Sequence, residues 1–361
     1  MENLDFTKED VLHSLVAALN DLPDTYASFA DIDLQLGAAQ KGDAVISMTV
    51  AGRRLRLLVE AKREAYPRDI RELLWQFRSY LAHLAPPDPE VIPFIAARSI
   101  SQGARDLLRE QRVGFYDLGG SLFIPGRDFY VLIDRPPPKH ARRVLSIFEG
   151  QKARTMMTLF AFGEEWVGVT ELAKIAEVSL ATTSETLSAM EQHDWVEADG
   201  TGPSKVRRLR NPKALVDEWG AYVAQRKPPK MVRYYVPSAS AEELCQKLDH
   251  ACRSANTLYA VTGEAAAQLY RPYLSTISQV RCRIAPGRTQ GQILEQIDAR
   301  QVSEGWNLGV LETRGRTDII VGGEIDGVSL APPLQVYLDL LQGPSRSKEM
   351  AEHLRSERLG A

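Results

Sequence analysis

Hydrophobic and polar positions alternate with a period of two between Asp43 and Lys62, and the run GDAVISMTVAGRRLRLLVEAK divides itself at Gly52. If Gly52-Arg53 forms a two-residue turn with glycine first, Ala51 faces Arg54 and Asp43 faces Lys62. One face of this hairpin carries Ala44, Ile46, Met48, Val50, Leu55, Leu57, Val59 and Ala61. The other carries Asp43, Val45, Ser47, Thr49, Arg54, Arg56, Leu58, Glu60 and Lys62. The first face is predicted to be core and the second to be open for chemistry. Upstream, Val11, Leu12, Leu15, Val16 and Leu19 recur at helical spacing within 7–22, with Thr7 and Asp10 as a capping-box-like start. Residues 26–36 read as a strand from which Asp31 and Asp33 point outward, rivals to Asp43 as acidic ligands. Downstream, the pattern predicts a helix over 67–84, a buried strand over 91–97, a helix over 101–112, a strand over 113–118, and a closing stretch over 122–133.

Three consecutive prolines, Pro136 to Pro138, interrupt this pattern, and the period beyond them is helical. Helices are predicted over 152–162, 169–175 and 179–192. Leu172, Ala173, Ala176, Val178, Leu187 and Met190 fall where a helix-turn-helix packs. The segment HDWVEADGTGPSKVRRLRNP, 193–212, reads as two strands around a glycine-containing wing, which makes a winged helix. Ser179, Thr182, Thr183, Ser184 and Ser188 are expected on the exposed side of the third helix, small enough for close approach to a major groove. Lys205, Arg207, Arg208 and Arg210 fall within six positions with no acid among them, a local phosphate-binding signal. A helix over 214–225 precedes a second break at 226–230. The remainder alternates strands over 231–237, 280–286, 307–313 and 318–325 with helices over 240–254 and 290–300, and ends in a helix pair.

Length adds a domain count. With 361 residues and about 150 per domain, two or three domains are expected, divided as 1–138, 139–226 and 227–361. The fold class predicted is α+β and multidomain. A net charge of −3 excludes a uniformly basic nucleic-acid binder, so any such surface is a patch. No apolar run approaches the ~20 residues of a membrane span, and the acidic opening MENLDFTKED has no apolar core. The expected location is cytoplasmic, with no membrane partner. Cys245, Cys252 and Cys282 form no CxxC pair; with His250 nearby they match no zinc spacing, and they read as buried thiols in a reducing compartment.

The chemistry concentrates at the open end of the hairpin. Opposed and diagonal residues there lie roughly 5–8 Å apart, so Asp43 and Glu60 can share a hard cation. Magnesium takes few carboxylates and keeps waters, leaving room for a phosphate oxygen and an attacking water. Lys62 can position that water or stabilise charge on the phosphate. Gln76 and Tyr80, at i and i+4 on the following helix, can contact a nucleic-acid backbone. Asp43, then Glu60-Ala61-Lys62, then Gln76-Phe77-Arg78-Ser79-Tyr80 resembles the PD-(D/E)xK restriction-endonuclease-like superfamily with the QxxxY element of its RecB-like branch. The resemblance implies a metal-dependent phosphodiesterase fold centred on Asp43, Glu60 and Lys62, with Glu9 or Asp10 as an extra acidic residue. Asp117, followed by Gly119 and Gly120, is expected to serve a turn.

A second resemblance covers about 142–361. Thr262-Gly263-Glu264-Ala265-Ala266, the helix around Leu334 to Leu340 and the one around Arg346 to Leu354 resemble the C-terminal half of type IV toxin–antitoxin regulators of the AbiEi antitoxin kind. It implies a DNA-binding transcriptional regulator, a nucleotidyltransferase-like toxin partner, and a degenerate nucleotidyltransferase-like C-terminal domain. There Gly263 can cradle a phosphate, no Asp-x-Asp pair follows, and Asp318 alone is insufficient for magnesium. The chain departs from that kind by placing an endonuclease-like domain before the winged helix. The function expected is therefore a double-stranded-DNA-binding regulator with a nuclease-like module; the alternative is a magnesium-dependent nuclease targeted by its winged helix.

Overall fold

The computed structural model describes residues 7–35, 41–81, 89–135, 146–274 and 276–360, with the side chains of 31–35, 41–42, 80–81, 146 and 345 outside the description. The protein mixes helices with several sheets and divides into two compact units, Met1–Val144 with Gln192–Asp194, and Leu145–Glu191 with Trp195–Ala361. Among the described residues no helix is long and apolar enough to cross a membrane.

The first unit runs α1 (Lys8–Asn20), β1 (Thr25–Gln35), β2 (Lys41–Val50), β3 (Arg53–Ala65), α2 (Pro67–Leu81), β4 (Glu90–Ile100), α3 (Gln102–Glu110), β5 (Gly114–Asp117), β6 (Leu122–Pro125) and β7 (Tyr130–Ile133). Its seven strands lie in chain order in one sheet. The joins β3/β4 and β4/β5 are parallel, and each is crossed by a helix, α2 and then α3, as a parallel return requires. Thr7 caps α1 through the amide of Asp10, as its sequence predicts.

Helices pack on both faces of the sheet, leaving Arg54 and Arg56 of β3 exposed. Val11, Leu12, Leu15 and Leu19 of α1 pack over Ala44, Ile46, Met48, Leu55, Leu57, Val59 and Ala61. On the other side Ile70, Leu73 and Phe77 of α2 and Ala104 and Leu108 of α3 cover Leu58, Ile95, Ala97 and Phe115. The hairpin face expected to be open is thus closed at Leu58, because β3 is a central strand. Pro93 is tolerated in β4 because it precedes Phe94, where β5 first pairs; that side of β4 is still an edge there. Gly114 is required opposite Phe94, since a Cβ there would lie 2.3 Å from the phenyl ring.

The hairpin register differs from the expected one by two residues. Ala51 and Gly52, with φ of +47° and +78°, form the turn, so Val50 pairs Arg53 and Ala44 pairs Val59. An even shift keeps every side chain on its predicted face, which is why the alternation alone does not distinguish the two registers.

Arg105 and Asp117 form an ion pair at 2.5 Å with side-chain exposures of 1% and 0%. Asp117 also accepts the amides of Gly119 and Ser121, and Gly120 turns at φ +85°, so the carboxylate serves the turn its glycines suggest.

The second unit opens with a short turn (Ser146–Phe148) and continues α4 (Gly150–Phe162), β8 (Val167–Gly168), α5 (Val169–Ala176), α6 (Leu180–Gln192), β9 (Val196–Asp199), β10 (Val206–Leu209) and α7 (Pro212–Ala224). The three strands form a small antiparallel sheet ordered β8-β10-β9. Leu172, Ala173, Ala176, Val178, Leu187 and Met190 are all buried, as their spacing predicts. A seven-stranded sheet follows, ordered β14-β11-β15-β13-β12-β17-β16. Its strands are β11 (Met231–Tyr235), β12 (Tyr259–Thr262), β13 (Val280–Ile284), β14 (Arg300–Gln301), β15 (Leu308–Leu311), β16 (Gly323–Ile325) and β17 (Val328–Leu330). The accompanying helices are α8 (Ala241–Ser254), α9 (Gly263–Tyr270), α10 (Arg288–Gln296), α11 (Pro333–Leu341) and α12 (Ser345–Leu354). One continuous apolar core runs from Ile147 through Trp219 and Val261 to Leu359. Arg154 of α4 ties the two parts together, donating to the carbonyls of Ala176, Thr317 and Ile319 and pairing Glu177. Cys245, Cys252 and Cys282 are free and buried, and burial pushes the first two thiols up to about 12.

Replacing Arg105 by Met leaves Asp117 buried without its counter-ion and is expected to cost about 3–5 kcal/mol of unfolding free energy. Burial already pushes the Asp117 carboxyl upward in pKa against the pull of Arg105, so adding Asp117→Asn is expected to restore most of the loss. Denaturant unfolding of the single and double variants at neutral pH measures both; an equal deficit in the two would contradict the pairing.

Candidate functional site

The β2–β3 ladder ends at Ala44 with Val59, while β2 continues alongside β1 through Gly42 and Lys41. At that parting Asp43 turns its carboxylate into the gap, and Oδ2 accepts the Ala61 amide at 2.8 Å where a ladder carbonyl would otherwise serve. Its Oδ1 accepts from Lys8 Nζ at 2.6 Å. On β3, Glu60 and Lys62 share a face by their spacing of two, and Lys62 Nζ lies 3.0 Å from Glu60 Oε1. The side chains of Asp43 and Glu60 are 16% and 15% exposed, so two carboxylates and two ammonium groups meet in a half-buried setting. Burial raises the Glu60 pKa; hydrogen bonding from Lys62 opposes this and the Asp43 charge adds to it.

The structure therefore brings together Asp43, Glu60 and Lys62. The helix before them contributes Lys8, whereas Glu9 and Asp10, expected as further acids, are exposed and the Asp10 amide serves the cap of α1. No sequence signal joins Lys8 to a residue 35 positions away. Gln76 is half-buried on α2, and the Tyr80 side chain, like those of Asp31 and Asp33, lies outside the described residues. Among the described residues no group of three or more His, Cys, Asp or Glu is placed to hold a metal. Two adjacent carboxylates do match magnesium, which binds through one or two and fills the rest of its shell with water or phosphate oxygens.

The second cluster of expected site residues is redistributed. Ser179 accepts the Thr182 amide and caps α6, so its hydroxyl is engaged in holding the helix start. Ser184 and Ser188 are exposed and Thr182 half-buried, but Thr183, expected outside, is 0% exposed because it faces inward between α6 and its neighbours. The basic run is neutralised from elsewhere in the fold. Lys205 Nζ and Arg207 Nε bind Glu191 of α6 at 2.8 and 2.9 Å, and Arg207 is buried. Arg208 pairs with its cross-strand neighbour Glu197 and lies over the Trp166 ring at 4.7 Å. Arg210 is exposed. Glu197 is predictable from a β-hairpin register; Glu191, on the preceding helix, is not.

In the C-terminal sheet Gly263 follows β12 at φ +66°, opening α9. The next strand presents Arg281 and Arg283 on one face. Arg281 pairs Glu264 at 3.3 Å, and Arg283 binds Asp339 through both nitrogens at 2.6 and 2.8 Å, with Thr262 and Gln335 completing the carboxylate's shell. Asp318 accepts the Arg314 amide of its own turn.

Glu60→Gln is expected to leave the metal-free protein at pH 7 as stable as the wild type or more so. A carboxylate whose folded pKa is raised contributes stability below its ordinary 4.5, and this contribution is lost as pH rises through the folded value. The variant's advantage therefore grows from pH 4 to pH 7 in EDTA, as denaturant titrations will show; an advantage largest at pH 4 would refute the burial effect. Arg207→Ala is expected to lower stability by about 1–3 kcal/mol, since it removes one of the two charged donors to Glu191 and leaves Lys205. Although burial opposes it, hydrogen bonds from Lys205 and Arg207 hold the Glu191 carboxyl below its usual range. That deficit should accordingly shrink as pH falls through the Glu191 titration, measured by the same unfolding method. Set against known proteins, no family model, no curated protein and no solved structure matches the chain, so its chemistry has to be read from the geometry itself.

Proposed function

We propose that the chain is a divalent-cation-dependent phosphodiesterase acting on DNA. In this reading the first unit is restriction-endonuclease-like, 146–226 is a winged helix-turn-helix, and the C-terminal part is a degenerate nucleotidyltransferase-like domain. The observation that carries it is the convergence of Asp43, Glu60 and Lys62 at the point where β2 parts from β3. The element order supports it: a helix, a three-strand meander, a crossover helix and a parallel fourth strand position the three side chains.

Asp43 and Glu60 would hold magnesium, which when bound polarises a phosphoryl oxygen and makes a bound water acidic. Burial makes Glu60 ionise reluctantly and the Asp43 charge adds to this, so a bound cation would relieve it. Lys62 is more exposed, at 35% against 15% for Glu60, and its ammonium can reach beyond the carboxylate to neutralise charge on a phosphate. Packing of α1 over Ala44, Val59 and Ala61 excludes water beneath the cluster, and the spacing of two holds Glu60 and Lys62 on one strand face. The winged helix on the same chain raises the local concentration of duplex DNA. With three of its basic side chains neutralised, it contacts phosphate mainly through Arg210, while Ser184 and Ser188 present hydroxyls to the groove.

A second reading, a DNA-binding regulator of the antitoxin kind with a nucleotidyltransferase-like toxin partner, is favoured by the continuous core from Ile147 to Leu359. It matches the extent of the second sequence resemblance.

Supercoiled plasmid incubated with the protein and magnesium or manganese is expected to be nicked or linearised, and EDTA is expected to stop the reaction. Glu60→Gln or Lys62→Ala is expected to lower the rate at least about a hundredfold while leaving the fold intact by circular dichroism. Duplex that is shifted in a native gel yet never cut, with either metal, favours the regulator. In the same gels Arg210→Ala is expected to reduce the slope of log affinity against log salt by about 0.9.

A further inference from the structure

The first turn of α1 brings a fourth charge to the cluster, one that the chemistry above does not use. Lys8 Nζ lies 2.6 Å from Asp43 Oδ1, and the other oxygen of that carboxylate is committed to the Ala61 amide. Of the two Asp43 oxygens, Oδ1 is the one free of the backbone, so a cation shared by Asp43 and Glu60 meets the ammonium there. The two cations compete for that oxygen, since their mutual repulsion weakens the hold of each. Lys8 is also equipped to leave. Its side chain is 53% exposed against 16% for Asp43, and its backbone is fixed by the capped start of α1 while four methylenes swing free. Asp43, Glu60, Lys8 and Lys62 sum to zero charge, so the metal-free cluster is neutral and requires no bound ion to fold.

We infer that Lys8 is a tethered competitor ion that neutralises Asp43 in the metal-free protein and sets the affinity of the site for a divalent cation. The inference rests on the proposed metal role of Asp43 and Glu60 and adds its regulation: metal enters as the ammonium swings out. Because Lys8 acts on occupancy, it is a positioning residue for the metal and takes no part in bond breaking.

Manganese binding to the full chain, followed by electron paramagnetic resonance of the free ion, tests this in the wild type, Lys8→Met, Lys8→Gln, Lys8→Arg and Asp43→Asn. Lys8→Met and Lys8→Gln are expected to bind manganese roughly three- to fivefold more tightly, the upper end of what an exposed ion pair contributes. Lys8→Arg, which keeps the charge, is expected to stay within about twofold of the wild type, and Asp43→Asn to lose binding. The rise in melting temperature on adding manganese should be larger in Lys8→Met than in the wild type. Measurable but equal affinities in wild type, Lys8→Met and Lys8→Gln overturn the inference and leave the metal site standing. Equal tightening in Lys8→Arg also overturns it, since charge would not be the cause. No manganese binding by any of the proteins overturns the metal reading and this inference together.

Discussion

A single hydrogen bond, from the Ala61 amide to the Asp43 carboxylate, sets what the first unit can offer to a ligand. A strand that leaves its neighbour exposes donors that must be satisfied. Ala61 is fully buried, so an unpaired amide there would cost about 1–3 kcal/mol. The carboxylate that satisfies it is thereby held beside Glu60 on the neighbouring strand. Structural necessity and candidate chemistry are the same contact, which explains how a second carboxylate comes to lie near Glu60, whose charge burial already disfavours.

Charge is handled differently in the second unit. Arg207 and Arg208, expected as exposed cations, each have a carboxylate from another element, and so has Arg283. Arg207 with Glu191 joins α6 to β10, Arg208 with Glu197 closes the small sheet across its strands, and Arg283 with Asp339 joins β13 to α11. These pairs fasten the layers of one core. They also neutralise these cations where they stand, and Arg207 is buried besides. Arg105 with Asp117 plays the same part in the first unit, deeper and with less water.

Much of the fold was legible in the chain. The alternation in 43–62 assigned each residue to its face, the 3.6 period placed α1, α5 and α6, and Thr7 and Ser179 marked helix starts, because these properties depend on near neighbours. Placing Glu60 and Lys62 together needed only their spacing of two. The turn was less legible: placing Ala51 at positive φ opposes local preference, and the shift of two residues left the predicted faces unchanged.

Tertiary structure alone decided the partners and the coverings. Lys8 meets Asp43 across 35 positions, Glu191 reaches back to Lys205 and Arg207, and α2 and α3 close the face at Leu58 that reads as polar and open. Thr183 looks like any exposed hydroxyl until α6 is packed. The sequence by itself determined which side chains share a strand face or a helix stripe, since covalent geometry repeats every two or 3.6 residues. Which of those side chains remain charged, accessible and unpaired was decided only by the fold, because long-range contacts follow from the simultaneous packing of all layers and leave no periodic trace in the chain.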